Sequence, residues 1–312
     1  MNHIDLPIWN KCNNRCLMCT NSESMKRAQV FNYDWVINYL KNEVRENKIK
    51  NLQTVGLTGG ETTICPDFFR IIDYIRQKFP ETNIRILTNG RMLTYDNFRK
   101  KCLTFRNIDF IIPLHGYDAE SHDRVTQTPG SFYQTTEGLR KLLSEKRSDQ
   151  KIEIRIVATR LNFEIILQIL KLIKEKFFDV DRIVLIFLEF EGLAEFNKNI
   201  VGITYQEIQP VLWQIKEYFK IFKDFRLYHF PLCVVPSNFW PYCWRTLPKK
   251  EVIFLKDCQK CLLKRYCLGV HKSYLSYVKK PEIRPWINLK GIRIKTTGNF
   301  YKPIDSVKID KL

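Results

Sequence analysis

The amino-acid sequence predicts an α/β fold, because short apolar runs typical of strands alternate with longer amphipathic segments typical of helices. Six strand-like runs lie at residues 3–9, 53–58, 83–88, 108–114, 152–158 and 182–188. Helical periodicity occupies residues 33–48, 66–79, 94–103, 133–146 and 163–177. Strands that are joined through helices by short links are expected to be parallel, with right-handed crossovers.

Local signals support these elements and point to one end of the sheet. Pro66 suits the first turn of a helix, and Asn162 suits a helix cap. Three strand-like runs lead into GGE at 59–61, TNG at 88–90 and LHG at 114–116. Ligands of α/β proteins gather at the carboxyl ends of strands, so the sequence predicts a site that these three strand ends share.

Three cysteines follow the first predicted strand. Cys12, Cys16 and Cys19 have the spacing C-x3-C-x2-C. Cysteine thiolates hold iron–sulfur clusters, and three of them leave the fourth iron of a cubane open for another ligand. A closed zinc site has four ligands, and the nearest further cysteine, Cys65, lies beyond a predicted helix and strand. The spacing therefore favours an iron–sulfur cluster with one open iron.

The order of the motifs, with C-x3-C-x2-C followed by a strand ending in GGE and another ending in TNG, resembles the radical S-adenosylmethionine (radical SAM) superfamily. The resemblance is to the branch that contains molybdenum-cofactor cyclase and peptide maturases. It implies a partial (β/α)6 TIM-like barrel. It also implies that Cys12, Cys16 and Cys19 are the catalytic cysteines, which hold a [4Fe–4S] cluster whose open iron is chelated by S-adenosylmethionine (SAM).

The resemblance further implies a set of cofactor-binding residues at the strand ends. Gly59, Gly60 and Glu61 would hold the methionine amine of SAM. The other residues expected at this ligand are Met18, Thr88, Asn89, His115 and Arg155. Met18 departs from the pattern of many relatives, which have an aromatic residue before the third cysteine, but a thioether can fill the same place beside the adenine.

Two segments after predicted strands have alternative interpretations. His115 either faces the ligand or bonds a neighbouring loop carbonyl. The segment after it, which contains His122, resembles a stretch of the peptide-maturase branch and is predicted to be mainly a loop that shapes the SAM or substrate pocket. Glu189 and Glu191 either line the barrel mouth and orient substrate or form a carboxylate pair at the start of a helix.

A second group of cysteines lies near the other end of the chain. Cys258, Cys261 and Cys267 have the spacing C-x2-C-x5-C, and Cys233 precedes them. Four thiolates suffice for a complete cubane and equally for a structural zinc ion. The arrangement resembles the C-terminal SPASM or twitch extension of radical SAM enzymes, which implies an auxiliary [4Fe–4S] cluster. Because the last SPASM cysteine is His271 here, the likeness is to the twitch form with one auxiliary cluster.

The ligand set of this second group is open at one position. Cys243, in the run WPYCW, competes with Cys233 as the fourth ligand, although its aromatic neighbours favour packing. His271 is a further alternative. Cys65 and Cys102 have no partners in the sequence and are expected to be inert thiols.

The division of the chain and its charge bear on partners. We expect the barrel at residues 1–200, a linker helix and strand at 201–230, and a twitch-like domain with a basic tail at 231–312. The net charge is +18, and residues 244–312 hold 17 Lys and Arg against 5 Asp and Glu. Such a surface could bind an acidic peptide or a phosphate backbone, or it could simply be a solvated surface.

Composition indicates a cytoplasmic protein. Its 312 residues are 45% hydrophobic and 27% charged. The apolar runs are broken by charges well before the roughly 20 residues that a membrane-spanning helix needs. The N-terminus lacks the basic and apolar regions of a signal peptide. Ten cysteines in such a chain favour clusters, because disulfides are scarce in reducing cytosol.

These observations predict a radical SAM enzyme that cleaves SAM reductively to a 5′-deoxyadenosyl radical and modifies a ribosomally synthesised peptide, by a crosslink or a change to one residue. Its expected partners are the peptide and an electron donor such as flavodoxin or ferredoxin. One alternative keeps this chemistry but acts on a nucleotide-derived small molecule or RNA. An alternative of another class is a non-catalytic iron–sulfur or zinc protein, against which GGE and TNG argue, because a metal module needs no SAM pocket.

Overall fold

The computed structural model describes residues 2–24, 31–281 and 283–310. Its main feature is a sheet of eight strands in which each strand pairs with the next along the chain, so that β1 and β8 are the edges. All neighbouring strands in this sheet are parallel. The strands are β1 (His3–Trp9), β2 (Thr54–Gly59), β3 (Asn83–Leu87), β4 (Ile108–Pro113), β5 (Lys151–Ala158), β6 (Arg182–Phe187), β7 (Phe225–Tyr228) and β8 (Cys243–Trp244).

Helices connect the strands and cover the sheet. The longer ones bury an apolar stripe, which in α2 consists of Phe68, Ile71, Ile72 and Ile75. These side chains join the buried side chains of the strands in one continuous core. The helices are α1 (Tyr33–Glu46), α2 (Phe68–Lys78), α3 (Asp96–Leu103), α4 (Ala119–Thr126), α5 (Ser131–Glu145), α6 (Ile166–Lys176), α7 (Leu193–Phe196), α8 (Lys198–Val201), α9 (Tyr205–Gln214), α10 (Tyr218–Ile221) and α11 (Tyr274–Tyr277).

The predicted α/β fold is confirmed, with an open parallel sheet as in a partial TIM-like barrel. The six predicted strands and five predicted helices are present, with ends within three residues of those expected. The sheet is larger than predicted, because β7 and β8 extend it beyond the six expected strands. These strands have four and two residues, which is too short for a clear apolar pattern.

One local prediction was wrong, and a second was confirmed in position only, since Asn162 precedes a short 3-10 helix. The segment after His115, expected to be mainly a loop, contains the helix α4, which begins with a capping box formed by Asp118 and Ser121. This helix buries mostly polar side chains and so lacks a periodic apolar stripe. Asn162 does not cap a helix with its side chain. Instead its Oδ1 accepts from the Thr159 amide at 2.8 Å.

The C-terminal part adds two small antiparallel pairs, β9 (Val252–Ile253) with β10 (Val270–His271) and β11 (Ile292–Thr296) with β12 (Ile304–Ile309). The main sheet continues to Trp244 in β8, and the division at residues 200 and 230 stays a prediction. In the part of the chain that the structure describes, no helix is long and apolar enough to cross a membrane.

Candidate active site

A cavity of about 500 Å³ lies at the carboxyl ends of the parallel strands. A cavity of this size is within the range of small-molecule and cofactor sites. Every residue predicted to hold the N-terminal cluster or SAM lines it: Cys12, Cys16, Met18, Cys19, Gly59, Gly60, Glu61, Thr88, Asn89, His115 and Arg155. The structure therefore brings residues from five separate segments of the sequence to one place.

The cysteine-bearing loop follows β1 and is tied to several elements. The Glu61 amide donates to the Lys11 carbonyl at 2.8 Å, and the Leu17 amide donates to the Val125 carbonyl of α4 at 3.1 Å. Near the end of the loop, Asn21 Nδ2 donates to the Gly59 carbonyl at 2.6 Å. Cys12 is exposed, whereas Cys16 and Cys19 are half-buried. The barrel thus fixes the backbone that carries the three thiols.

Gly59 and Gly60 lie where β2 packs closely against that loop. Gly59 has a φ of +120°, which residues with a Cβ rarely adopt. A Cβ on Gly60 would lie 2.1 Å from the Lys11 carbonyl oxygen, one residue before Cys12. The sequence suggested that these glycines let the backbone approach a ligand. The structure shows that they also let β2 approach the cysteine loop.

Glu61 is buried and already holds four hydrogen bonds. Its Oε1 accepts from the Thr63 amide, the Thr63 hydroxyl and the Thr88 hydroxyl at 3.0, 2.5 and 2.6 Å. Its Oε2 accepts from the Asn89 amide at 2.6 Å. Burial raises the pKa of Glu61, and these donors oppose the rise. Because Oε1 accepts three of these bonds and Oε2 only one, Oε2 is the oxygen that can accept from a further donor such as an amine.

Asn89 and Arg91 join the third strand end to the cysteine loop. Asn89 Nδ2 donates to Asn13 Oδ1 at 2.6 Å. Arg91 donates to the Asn13 carbonyl and to Asn14 Oδ1 at 2.5 and 2.7 Å. Arg91 was not singled out from the sequence, although its position directly after TNG was a usable signal.

Arg155 lines the cavity and is anchored within the sheet. Its Nε donates to Glu153 Oε1 at 2.6 Å, and Arg85 and Arg182 also bond Glu153. Burial alone would raise the pKa of Glu153, but the three guanidinium groups outweigh it and lower this pKa to about 2. The carboxylate is therefore ionised and holds Arg155 at the cavity wall.

His115 presents an imidazole to the cavity from the end of β4. The residue is 2% exposed, and within the described residues its Nδ1 has no hydrogen-bond partner. Burial lowers the pKa of His115 to about 3, so the ring is neutral. The backbone carbonyl of His115, rather than the ring, bonds the neighbouring loop, accepting from Asn162 Nδ2 at 3.1 Å. A cavity ligand could satisfy the ring.

The two glutamates after β6 are separated by the structure. Glu189 lines the cavity, and its Oε1 lies 3.2 Å from Nδ1 of His229, which also lines it. Glu191 is exposed, with Oε1 3.6 Å from Nε2 of His271. The helix that follows, α7, begins only at Leu193, so Glu189 is not a helix-start residue. Sequence reasoning missed His229, whose only signal is its place after a short strand.

The four C-terminal cysteines predicted as auxiliary ligands surround a second, small cavity of about 20 Å³. Cys233, Cys258, Cys261 and Cys267 line it, and Cys243 is not among its lining residues. Cys267 Sγ accepts from the amides of Leu232 and Gly269 at 3.4 and 3.3 Å. Burial raises the pKa of the Cys267 thiol to about 11, and these two bonds oppose the rise.

The alternative ligands have other surroundings. The Cys243 thiol is buried and donates to the Phe239 carbonyl at 3.9 Å. His271 Nδ1 accepts from the Ser273 amide at 3.1 Å. Cys65 and Cys102 are buried, and burial raises the pKa of these thiols to about 11 and 12. In the described ranges, no three His, Cys, Asp or Glu side chains are placed to hold a single metal ion.

A third cavity, of about 680 Å³, opens beside the C-terminal cysteines and is called the basic groove here. Its lining includes four cations and the two cysteines Cys261 and Cys267. The cations are Arg245, Lys249, Lys264 and Arg265. Arg245 is held rigidly, because its guanidinium stacks on Phe300 with a distance of 3.9 Å to the ring centre.

The residues around the cavity at the strand ends fit the cofactors that the sequence implies. Three thiols on one loop supply the donor chemistry of an iron–sulfur cluster. Beside them are a carboxylate with one free lone pair, a neutral imidazole with an unsatisfied nitrogen and an anchored guanidinium. These groups suit the amine, carboxylate and ribose hydroxyls of SAM.

Comparison with known families identifies the family of the chain. Residues 6–173, more than half of the chain, match the sequence model of the radical SAM superfamily. The chain therefore belongs to the radical SAM superfamily, whose members bind a [4Fe–4S] cluster and SAM.

Among named relatives, the chain is similar to the antilisterial bacteriocin subtilosin biosynthesis protein AlbA of Bacillus subtilis, with 25% identity over 46% of this chain and 30% of the relative. It is also similar to the mycofactocin maturase MftC of Mycolicibacterium smegmatis, with 27% identity over 49% of this chain and 36% of the relative. The matched part of the chain thus spans about a third of the length of these relatives.

A solved structure shares the fold. Streptococcus suis SuiB, in its crystal structure bound to precursor peptide SuiA, superposes with a TM-score of 0.56 over 72% of this chain and 48% of that chain. The sequence identity is 14%, so this likeness concerns the fold alone.

Proposed function

We propose that this chain is a radical SAM enzyme that modifies a ribosomally synthesised peptide. The observation that carries the proposal is the single cavity of about 500 Å³ lined by the three cysteines, the GGE and TNG residues and Arg155. A protein that merely bound metal through Cys12, Cys16 and Cys19 would not need these other groups beside the thiols.

The residues of the cavity have separate tasks in this proposal. Cys12, Cys16 and Cys19 would hold the [4Fe–4S] cluster, which with SAM supplies a 5′-deoxyadenosyl radical that abstracts hydrogen from the substrate. Glu61 would accept from the methionine amine through Oε2. Arg155, anchored by Glu153 at 2.6 Å, would donate to the SAM carboxylate or ribose.

The peptide substrate is proposed from the relatives. The two similar proteins are named as a bacteriocin biosynthesis protein and a mycofactocin maturase. The basic groove beside the C-terminal cysteines could hold an acidic part of a peptide, because four cations line it and no carboxylate is part of its described lining.

The C-terminal cysteines would hold an auxiliary [4Fe–4S] cluster in a twitch-like domain at residues 231–312. Of the two candidates for the fourth ligand, Cys233 is favoured over Cys243 because it shares the small cavity with Cys258, Cys261 and Cys267. The electron donor would be a flavodoxin or ferredoxin. We place the protein in the cytoplasm, which suits ten free cysteines.

The test is anaerobic incubation of the reconstituted protein with SAM and dithionite. We expect release of 5′-deoxyadenosine by the native protein and none by Cys12→Ala. Short peptides encoded beside this gene are then added, and their mass is followed. A peptide that changes mass supports the proposal, whereas turnover only with an added RNA oligonucleotide or nucleotide would move the function to those substrates. Absence of 5′-deoxyadenosine would overturn the enzymatic role.

A further inference from the structure

The ends of β6 and β7 form a wall of the cavity that carries a carboxylate–imidazole pair. This pair is not needed to hold the cluster or SAM. Glu189 lies two residues after β6, and His229 directly follows β7. His229 Nδ1 lies 3.2 Å from Glu189 Oε1 and 3.3 Å from the Phe187 carbonyl oxygen. Both neighbours are acceptors, so the tautomer with hydrogen on Nδ1 fits this arrangement.

The backbone at His229 is unusual. Its φ is +67°, in the left-handed region that residues with a Cβ seldom occupy. The residue is 9% exposed, and the conformation directs the ring towards Glu189 and the Phe187 carbonyl. Such a conformation costs on the order of 1–3 kcal/mol and tends to persist where a side chain must be held for function.

Glu189 is distinct among the acid–base groups that line the cavity. The other carboxylate in its described lining, Glu61, already accepts four hydrogen bonds. The imidazoles of His115, His122 and His229 are neutral, because burial lowers their pKa values to about 3, 4 and 3. Glu189 is 23% exposed in its side chain and can be reached from the cavity.

The charges around Glu189 place its titration near neutral pH. Burial, followed by the negative charges of Glu191 and Glu251, raises the pKa of Glu189 to about 7, while Arg155 opposes the rise. His271, on β10, lies beside this pair, with its ring centre 6.4 Å from that of His229 and its Nε2 3.6 Å from Glu191 Oε1. A group that titrates near the working pH can both take up and return a proton efficiently.

We propose that Glu189 is the acid–base residue for the substrate in this cavity and that His229 is its positioning residue. The Glu189 carboxylate takes one proton from a substrate X–H group, where X is the atom that forms or changes a bond. The substrate is left as X⁻, the glutamate becomes a neutral carboxylic acid, and no electron is transferred in this step. The inference rests on the proposed function, since it requires a substrate beside SAM.

The first test needs no turnover. In the reconstituted protein labelled with ¹³C-carboxyl glutamate, infrared difference spectra are recorded over a pH series. We expect a protonated-carboxyl band with a midpoint near pH 7 that is absent from Glu189→Gln and retained in Glu195→Gln, a control on the exposed side of α7. In Glu191→Gln the midpoint should move to lower pH, because a negative neighbour is removed. If no band titrates near pH 7, or if Glu189→Gln keeps it, the inference is wrong.

The second test uses the peptide that is modified in the assay above. We expect the ratio of modified peptide to 5′-deoxyadenosine to rise with pH through about 7 in the native protein, as the carboxylate form accumulates. Glu189→Gln should lower this ratio by about a hundredfold, the lower end of the usual contribution of general acid–base catalysis. Glu189→Asp should restore part of it. An unchanged ratio in Glu189→Gln would overturn the inference even if SAM cleavage is intact.

His229→Gly tests the positioning role, because glycine adopts a φ of +67° without strain and only the imidazole is lost. Loss of the imidazole N–H that lies 3.2 Å from the carboxylate should raise the infrared midpoint of Glu189 and lower the product ratio. If the ratio falls while the midpoint stays, His229 does not act through Glu189. If the native protein makes no 5′-deoxyadenosine, the proposed function fails, and the infrared result still decides the character of Glu189.

Discussion

The two cysteine sites differ in the space that they enclose. The N-terminal thiols face a cavity of about 500 Å³ with a carboxylate, an imidazole and a guanidinium in its wall. The C-terminal thiols surround about 20 Å³, and the cavity wall there is otherwise mainly apolar. Metal sites that do chemistry keep room for a further ligand, whereas closed sites do not. The difference agrees with the proposal that the first site binds a reactant and that the second has a structural or electron-transfer role.

The largest expected effect separates the sites by metal content and activity. Fully reconstituted protein should hold about eight iron atoms, from two cubanes of four. Changing Cys12, Cys16 and Cys19 together to Ala should halve the iron and abolish 5′-deoxyadenosine formation. Changing Cys258, Cys261 and Cys267 to Ala should also halve the iron but leave SAM cleavage measurable. Iron analysis and chromatography of the nucleoside are the measurements.

Cys65→Ala is the matched control and should keep the full iron content, because this thiol is buried and bonds the Ile8 carbonyl. If zinc occupied the C-terminal site in place of iron, that site would not hold an iron–sulfur cluster, and the two sites could not be compared as clusters. If the N-terminal triple variant kept the full iron content, Cys12, Cys16 and Cys19 would not be the ligands of a cluster.

Much of this first comparison could be predicted from the sequence, because it depends on local spacing. C-x3-C-x2-C, GGE and TNG each lie within a few residues of the chain, and the strands before them have clear apolar runs. The parallel arrangement then brings strand ends together, so the gathering of Cys12, Glu61 and Asn89 followed from the fold class.

The parts that were not predicted depend on contacts between distant segments. Arg91 bonds the Asn13 carbonyl across 78 positions. His229 meets Glu189 only because β6 and β7 are neighbours, and β7 has four residues. No local pattern encodes these juxtapositions.

Glu61→Gln sharpens the description of the open site. The amide nitrogen of glutamine cannot accept from the Asn89 amide or from a ligand amine, so one charge-assisted bond of about 1.5–3 kcal/mol is lost in each case. We expect SAM affinity to fall by about ten- to a hundredfold and the free energy of unfolding to fall by about 2 kcal/mol. Calorimetric SAM titration and chemical denaturation measure the two effects. Unchanged affinity with lowered stability would restrict Glu61 to a structural role.

Gly60→Ala tests whether the glycine pair supports the cysteine loop. The new Cβ would meet the Lys11 carbonyl oxygen, and overpacking of this kind costs about 1–3 kcal/mol. We expect a lower melting temperature and severalfold weaker SAM binding. Gly298→Ala is the control, because an added Cβ there would meet no atom within 4 Å. Any loss of stability in that variant comes from the positive φ of +74° and not from close packing. If both variants lose similar stability and neither loses SAM affinity, close packing at Gly60 does not position the thiols.

The smallest expected effect concerns the basic groove, whose lining includes the C-terminal cysteines Cys261 and Cys267. Changing Lys249, Lys264 and Arg265 together to Glu should weaken binding of an acidic poly-glutamate peptide by about fivefold, since exposed ion pairs contribute only about 0.2–1 kcal/mol each. A control reversal of Lys250, Lys256 and Lys260, which do not line the groove, changes the net charge equally. Fluorescence anisotropy over a salt series measures both.

A phosphate ligand would behave differently in the same experiment. Affinity for single-stranded RNA should fall with a log–log salt slope of about −0.7 for each phosphate neutralised, because condensed counterions are released. A short acidic peptide condenses fewer counterions and should show a shallower slope. We expect the shallower slope together with dependence on the groove residues. Tight, steeply salt-dependent RNA binding that both reversals weaken equally would show that net charge, rather than the groove, determines binding, and would favour a nucleic-acid substrate.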